Sequence, residues 1–308
     1  MRIIFAGTPA TALPSLHRLM EDHEVVAVLT RAPAPVGRKK ILTQSPVHQV
    51  AEQLGIPVLT PRSLRGDDIE EQLTALAPEA IAVVAYGLLI PQNLLQLPTH
   101  GWINLHYSLL PRWRGAAPVQ YAIAAGDTVT GTSVFQIEAG LDTGPIYDVE
   151  EHEIGNHTAG ELLDILSDSG AHQLARVFQS LESGTAQSHV QQGDVTLAPQ
   201  LSTKHSRVDF TMPAHVIDSR IRGYTPEPGP WTRYNGQRIK LGQVRITSVD
   251  GIEPGKIVIG KQILVGTSTT AIELTTVTPA GKKTMLATAW ARGLNDDDPA
   301  FETGDDHE

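Results

Sequence analysis

Asn104 and His106 lie two residues apart in the stretch Ile103-Asn104-Leu105-His106-Tyr107-Ser108-Leu109-Leu110-Pro111. If residues 102–106 form a strand, both side chains project from one of its faces. An amide donor beside an imidazole can hold a developing oxyanion and move a proton. Alone, this pattern describes a histidine satisfied in a core more often than a catalytic pair. Thirty-six residues beyond His106, Asp142 sits in the glycine-framed turn Ala139-Gly140-Leu141-Asp142-Thr143-Gly144. A carboxylate on such a turn can reach a neighbouring crevice and raise the pKa of a histidine there. Alone, it reads as a simple turn residue.

Several other chemistries are excluded. The chain has no cysteine, hence no disulfide framework, thiolate zinc site or cysteine nucleophile. Its twelve histidines include no His-Glu-X-X-His pattern, and Glu150-Glu151-His152-Glu153 reads as a solvated charge run, so no metal is expected. The early turn Phe5-Ala6-Gly7-Thr8-Pro9 has one glycine where a dinucleotide fingerprint needs three.

The elements that must position these residues follow from hydrophobic period. Short apolar runs at 2–6, 24–30, 80–86 and 102–106 alternate with helical spacing at 13–20, 47–54 and 69–76. Such alternation predicts an α/β fold with a Rossmann-like, mostly parallel sheet. Two more strands are predicted over 130–138 and 146–153, then a long helix or helical pair over 159–181. Period is lost around 182–206, where Ser, Gly, Thr and Gln dominate. A short helix near 214–222 opens a region of different grammar. There Tyr234-Asn235-Gly236-Gln237 signals a tight hairpin, with strands predicted over 238–247, 256–259, 262–265 and 270–277. Close-spaced short strands predict a smaller, OB-like β-barrel.

With 308 residues, two cores are expected. The predicted organisation is a catalytic domain over 1–188, a linker over 189–205, a barrel domain over 206–294 and a disordered acidic tail over 295–308. No run approaches the ~20 apolar residues of a membrane span, and the first residues are too short for a signal-peptide core. A cytoplasmic location is therefore expected. Net charge is −10, but seven acids fall between Asp296 and Glu308, which leaves −3 on the other 295 residues. Between Lys204 and Lys261 ten basic residues meet five acids. A local excess of this kind matters more to a nucleic-acid partner than the total does.

Taken together, Asn104, His106, Ser108-Leu109-Leu110-Pro111, Gly131-Thr132-Ser133 and Leu141-Asp142-Thr143-Gly144 resemble the formyltransferase family that uses 10-formyltetrahydrofolate. Further markers are Gly37-Arg38-Lys39-Lys40, Val84-Ala85-Tyr86-Gly87 and Pro111-Arg112-Trp113-Arg114-Gly115, and the likeness spans roughly residues 1–292. It implies 10-formyltetrahydrofolate as co-substrate and methionyl-initiator tRNA as formyl acceptor, in a monomer. It implies Asn104, His106 and Asp142 as catalytic residues, His106 as a protonated oxyanion donor and Asp142 as its orienting partner. Ser108, Leu109, Leu110 and Pro111, with Tyr86, Gly87, Leu88 and Leu89, would form the folate pocket. Arg38, Lys39 and Lys40, in a loop from 31 to 46, would contact the acceptor stem. Lys204, Arg207, Arg220, Arg222, Arg238 and Lys240, with Arg233 and Arg245 nearby, would hold its phosphates. Two departures stand out. The basic loop is one residue shorter than the family's usual Gly-Arg-Gly-Lys-Lys, and Tyr107 replaces a small residue, on the strand face opposite Asn104 and His106.

Overall fold

A computed structural model of the chain describes residues 1–37 and 39–303. Two compact units make up the chain. One contains Met1–Pro118, Val129–Glu153 and Leu163–Ala198; the other contains Val119–Thr128, Ile154–Leu162 and the residues from Pro199 onward.

The first unit is built on a seven-stranded sheet. Its order is Ile146–Glu153, Val129–Gln136, Trp102–His106, Ala80–Val84, Arg2–Gly7, Glu24–Leu29 and Val58–Leu59. From Trp102–His106 to Val58–Leu59 every neighbour is parallel, and the first two strands are antiparallel. Parallel strands covered on both faces read as unbroken apolar runs. Ile3, Ile4, Phe5 and Ala6, like Ala80, Ile81 and Ala82, are fully buried. The chain lays down strands outward from Arg2–Gly7, then returns to its other side at Ala80–Val84. Ligands of such sheets bind outside the carboxyl ends of the strands flanking this reversal.

Trp102–His106 is thus an inner strand, with Val83 opposite Asn104 on one side and Phe135 opposite it on the other. The Ala159–Glu182 helix backs its far face. A Cβ on Gly170 would lie 2.9 Å from Leu105 Cδ2, so glycine is what lets the helix approach this closely. Tyr107 also turns to that side: its hydroxyl donates to the Thr11 carbonyl at 3.1 Å and accepts from Ser167 Oγ at 3.3 Å. Burial pushes its pKa up to about 12. The helix itself starts at a capping box, Thr158 and Glu161, whose side chains satisfy each other's backbone N–H groups.

Two local expectations are revised, and one helix is new. The 31–46 segment contains an antiparallel hairpin, Ala34–Val36 with Ile41–Thr43. Pro35 and the absence of a two-residue period hide it in the sequence. Residues 189–198, read as linker, are bound to the first unit: His189 bridges Ile146, and Leu197–Ala198 pairs in parallel with Arg114–Gly115. The Pro118–Ala124 helix had no sequence expectation at all.

The second unit holds two four-stranded antiparallel sheets. One runs Trp231–Tyr234, Gln237–Leu241, Thr276–Pro279 and Met285–Leu286. The other runs Val244–Ile246, Ile272–Leu274, Ile263–Val265 and Ile257–Ile259. Asn235 and Gly236 take φ of 48° and 74°, the tight turn their types predict. Each of the strands predicted over 238–247 and 270–277 breaks in two and changes sheet, near Gly242 and Thr275. This is how strands turn a barrel corner.

The expected disorder of the tail does not hold for its described part. Phe301 is 3% exposed and stacks between Phe210 and Trp290, with centroids 5.3 and 5.7 Å away. Backbone bonds from Phe301 N–H to the Gly255 carbonyl and from Glu302 N–H to the Arg233 carbonyl hold it there. One aromatic ring outweighs the charge run around it, because its burial recovers the cost of ordering the segment. Residues 304–308 lie outside the described residues.

Candidate active site

Asn104 and His106 leave the same face of their strand, and the turn carrying Asp142 comes to meet them. His106 is 6% exposed. Its ring stands edge-on to Phe135, with centroids 6.3 Å apart and planes at 86°. Nε2 lies 3.0 Å from the Trp113 carbonyl oxygen. A carbonyl only accepts, so Nε2 carries a proton and Nδ1 faces Asp142, whose Oδ2 is 3.9 Å away. Asn104 is half-buried and its amide makes no hydrogen bond among the described residues. Its donors are therefore open to a ligand.

The charge state of His106 differs from the sequence expectation. Burial drives its pKa below the ordinary 6.5, while the Asp142 carboxylate and the Trp113 carbonyl push the other way. Burial prevails because Asp142 is a charge at 3.9 Å and not a hydrogen-bonded partner. This direction favours the neutral imidazole, able to take up a proton at Nδ1, over the protonated donor expected above.

Asp142 occupies the left-handed region, with φ of 51°. Its Oδ2 accepts the Gly115 N–H at 2.7 Å. Trp113 and Gly115 thus hold the imidazole and the carboxylate through backbone groups two residues apart. The Pro111–Gly115 motif was legible as a family marker, but its part in anchoring both side chains was not.

The segments expected to form the folate pocket follow the carboxyl ends of two adjacent parallel strands, Ala80–Val84 and Trp102–His106. Ser133 fixes the second of them. Its hydroxyl donates to the Ser108 carbonyl at 2.7 Å and accepts the Leu110 N–H at 3.1 Å. Ser108 Oγ donates to the Arg112 carbonyl at 2.6 Å, Leu110 packs on Phe135 and Ile146, and the Leu110–Pro111 peptide is cis. Leu109 is half-buried, and Pro111 is buried. The first segment is divided. The Tyr86 ring joins the core with Ile4 and Trp102, and burial pushes its hydroxyl pKa up. The Gly87 carbonyl accepts from Arg31, Leu88 is half-buried, and Leu89 is 82% exposed. A separate surface cavity of about 530 Å³, lined by Val58, Leu59, Arg65 and Gln72 among others, includes none of the three central residues.

The basic residues fall into different settings. Lys39 and Lys40 are exposed at the hairpin tip, beside Val36, Ile41 and Leu42; Arg38 lies outside the described residues. In the second unit Lys204, Lys240 and Arg245 are exposed, and Arg220 is half-buried. Arg207, Arg233 and Arg238 gather over the Trp231 ring at 5.8, 6.0 and 4.3 Å. Burial, with Arg233 alongside, lowers the Arg238 pKa. Arg222 differs from its expected role. It bonds Asp218 at 2.8 Å and the carbonyls of Gly155 and His157 at 3.3 and 3.2 Å, an internal brace with its donors largely engaged.

Residues 1–178 match the formyl transferase family, and residues 200–295 match the formyl transferase C-terminal domain. The chain belongs to the formyl transferase family. A curated methionyl-tRNA formyltransferase from Arthrobacter sp. (strain FB24) is 50% identical over 297 residues, covering 95% of this chain and 97% of its own. Among solved structures, an N-formyltransferase from Helicobacter canadensis, in complex with folinic acid and dTDP-3-aminofucose, superposes with a TM-score of 0.66. It is 17% identical, with 88% of this chain and 97% of its own covered. A methionyl-tRNA formyltransferase from Clostridium thermocellum gives a TM-score of 0.57 at 17% identity, with 86% and 100% covered. The two structures share the fold of this formyl transferase chain: a mostly parallel sheet followed by a domain of small antiparallel strands. Among the described residues, no helix is long and apolar enough to cross a membrane.

Proposed function

We propose that this chain transfers the formyl group of 10-formyltetrahydrofolate to the α-amino group of methionine esterified to initiator tRNA. The observation that carries the reading is the approach of the Asp142 carboxylate to His106, two residues beyond Asn104 on one strand, in a chain half identical to a methionyl-tRNA formyltransferase. The uncharged amine attacks the formyl carbon, and a new C–N bond forms. Negative charge collects on the formyl oxygen, where the Asn104 amide donates. The attacking nitrogen then loses a proton to Nδ1 of neutral His106. Asp142 stabilises the imidazolium so formed. Collapse breaks the bond to the folate nitrogen, which takes the proton from His106 as it leaves.

Folate binding falls to the backbone of Ser108–Pro111 with Gly87–Leu89, the segments that follow the carboxyl ends of two adjacent parallel strands. The catalytic domain of this reading covers 1–188 and the RNA-binding domain 206–294, the chain acting as a cytoplasmic monomer. Arg38, Lys39 and Lys40 contact the acceptor stem; Lys204, Arg207, Arg220, Arg238 and Lys240 meet phosphates. Labelled formyl transfer to methionyl-initiator tRNA tests the reading, with glycinamide ribonucleotide and free methionine as comparison acceptors. Faster transfer to either small amine would make the chain a small-molecule formyltransferase. No transfer to any acceptor, with RNA still bound, would make it an RNA-binding module.

A further inference from the structure

Residues 189–198 have no sequence period and lie between the two matched family domains, yet they grip both halves of the candidate site. Gln191 is central. Its Nε2 donates to the Asp142 carbonyl at 2.8 Å and to the Gly144 carbonyl at 2.9 Å. Its Oε1 accepts from Arg114 Nε at 3.2 Å and Nη2 at 2.6 Å. An amide side chain has two N–H donors and one carbonyl acceptor, and here both ends are in use.

The two stretches joined in this way are the ones that matter. One is the turn presenting Asp142, held at positive φ. The other is Trp113–Gly115, whose carbonyl at 113 holds His106 and whose N–H at 115 holds the Asp142 carboxylate. Thr196 secures that second stretch: Oγ1 accepts the Trp113 N–H at 2.8 Å, and its carbonyl accepts the Arg114 N–H at 2.9 Å. Gly115, with φ of 125°, lies so close to the next residues that a Cβ there would be 2.6 Å from the Ala198 carbonyl oxygen.

We propose that Gln191, seconded by Thr196, is a positioning residue for formyl transfer, setting the separation of the His106 imidazole and the Asp142 carboxylate. The inference rests on the reading of Asn104, His106 and Asp142 as the reacting groups. Gln191 touches no substrate in this account. It acts by tying the Asp142 turn to the backbone that orients His106, and a misplacement of about 1 Å in such a pair can cost roughly 10²-fold in rate.

Two substitutions separate the halves of the tie. Gln191→Glu is nearly isosteric and can still pair with Arg114, but it has no N–H to give and sets a carboxylate against two carbonyls. Gln191→Ala removes both interactions. Each should lower kcat by roughly 10- to 100-fold, with KM for both substrates within about twofold. Gln191→Glu should be at least as impaired as Gln191→Ala. In Gln191→Ala, which adds no charge, the acid limb of the kcat profile should move to lower pH, because His106 loses part of its attraction to Asp142. Thr196→Val, which removes the acceptor for the Trp113 N–H, should move the same limb; it and Gln191→Glu decide the matter if Gln191→Ala unfolds.

Asp142→Asn serves as the reference. Parent-like turnover in that variant removes the underlying reading and this inference with it. An impaired Asp142→Asn beside a parent-like Gln191→Glu overturns this inference alone. So does a lower kcat in Gln191→Ala or Thr196→Val with an unmoved acid limb, which would make the tie a packing feature only.

Discussion

Replacing Asp142 by Asn removes one charge and little else. The Asn side-chain oxygen can still accept the Gly115 N–H, now met by Oδ2 at 2.7 Å, so the turn keeps its anchor. What is lost is the attraction between the carboxylate and an imidazolium 3.9 Å away. At an effective dielectric constant of about 20, two unit charges at that separation attract by about 4 kcal/mol. The Asp142 side chain is 16% exposed, and solvent screening trims the figure. Between about 2 and 4 kcal/mol remains, or roughly 30- to 1,000-fold in the step that protonates His106. The same change has a second signature of definite sign. Burial holds the His106 pKa below 6.5 and Asp142 opposes burial. Withdrawing the opposition lowers the pKa further, so neutral His106 persists to lower pH and the acid limb shifts downward. Single-turnover formyl transfer, followed across the acid range with saturating substrates, reads both effects. A plateau within about threefold of the parent, or an acid limb that stays or moves upward, refutes the account of Asp142.

Asn104→Ala should lower turnover by roughly 10²–10³-fold, as loss of one oxyanion donor does; tetrahydrofolate affinity, read by fluorescence titration, should change little. Phe301→Ala should destabilise the second unit by about 3–5 kcal/mol, since it empties a stacked core position. Calorimetry that finds no loss would return the segment to a solvated tail. Replacing Lys39 and Lys40 together by Ala should lower the slope of log K against log salt by about two for tRNA binding, and an unchanged slope removes the hairpin tip from the interface.

The proposed reacting residues were readable through the family resemblance, since their local spacing alone describes a core histidine and a turn residue. Asn104 and His106 are spaced by the strand period, and the apolar runs at 2–6, 24–30 and 80–86 announce the sheet that carries them. Other features depend on three-dimensional surroundings. The His106 pKa is pushed down by desolvation, which no spacing encodes. Gln191 and Thr196 lie in a polar run without period, and only the fold brings them beside Trp113–Gly115. Phe301 is a single ring among acids, so composition pointed to disorder while packing made it a core residue. Arg222 looked like its basic neighbours until Asp218 and two carbonyls claimed it.

The path of the chain between its two units has a practical consequence for chimaeras. The second unit takes residues 119–128 and 154–162 from within the first, besides everything from Pro199 onward. Grafting a foreign carboxyl-terminal half at a single junction would leave two donor-mismatched inserts behind in the recipient. Exchange between homologues should therefore succeed only when all three pieces travel together, which makes the pair a poor candidate for casual shuffling.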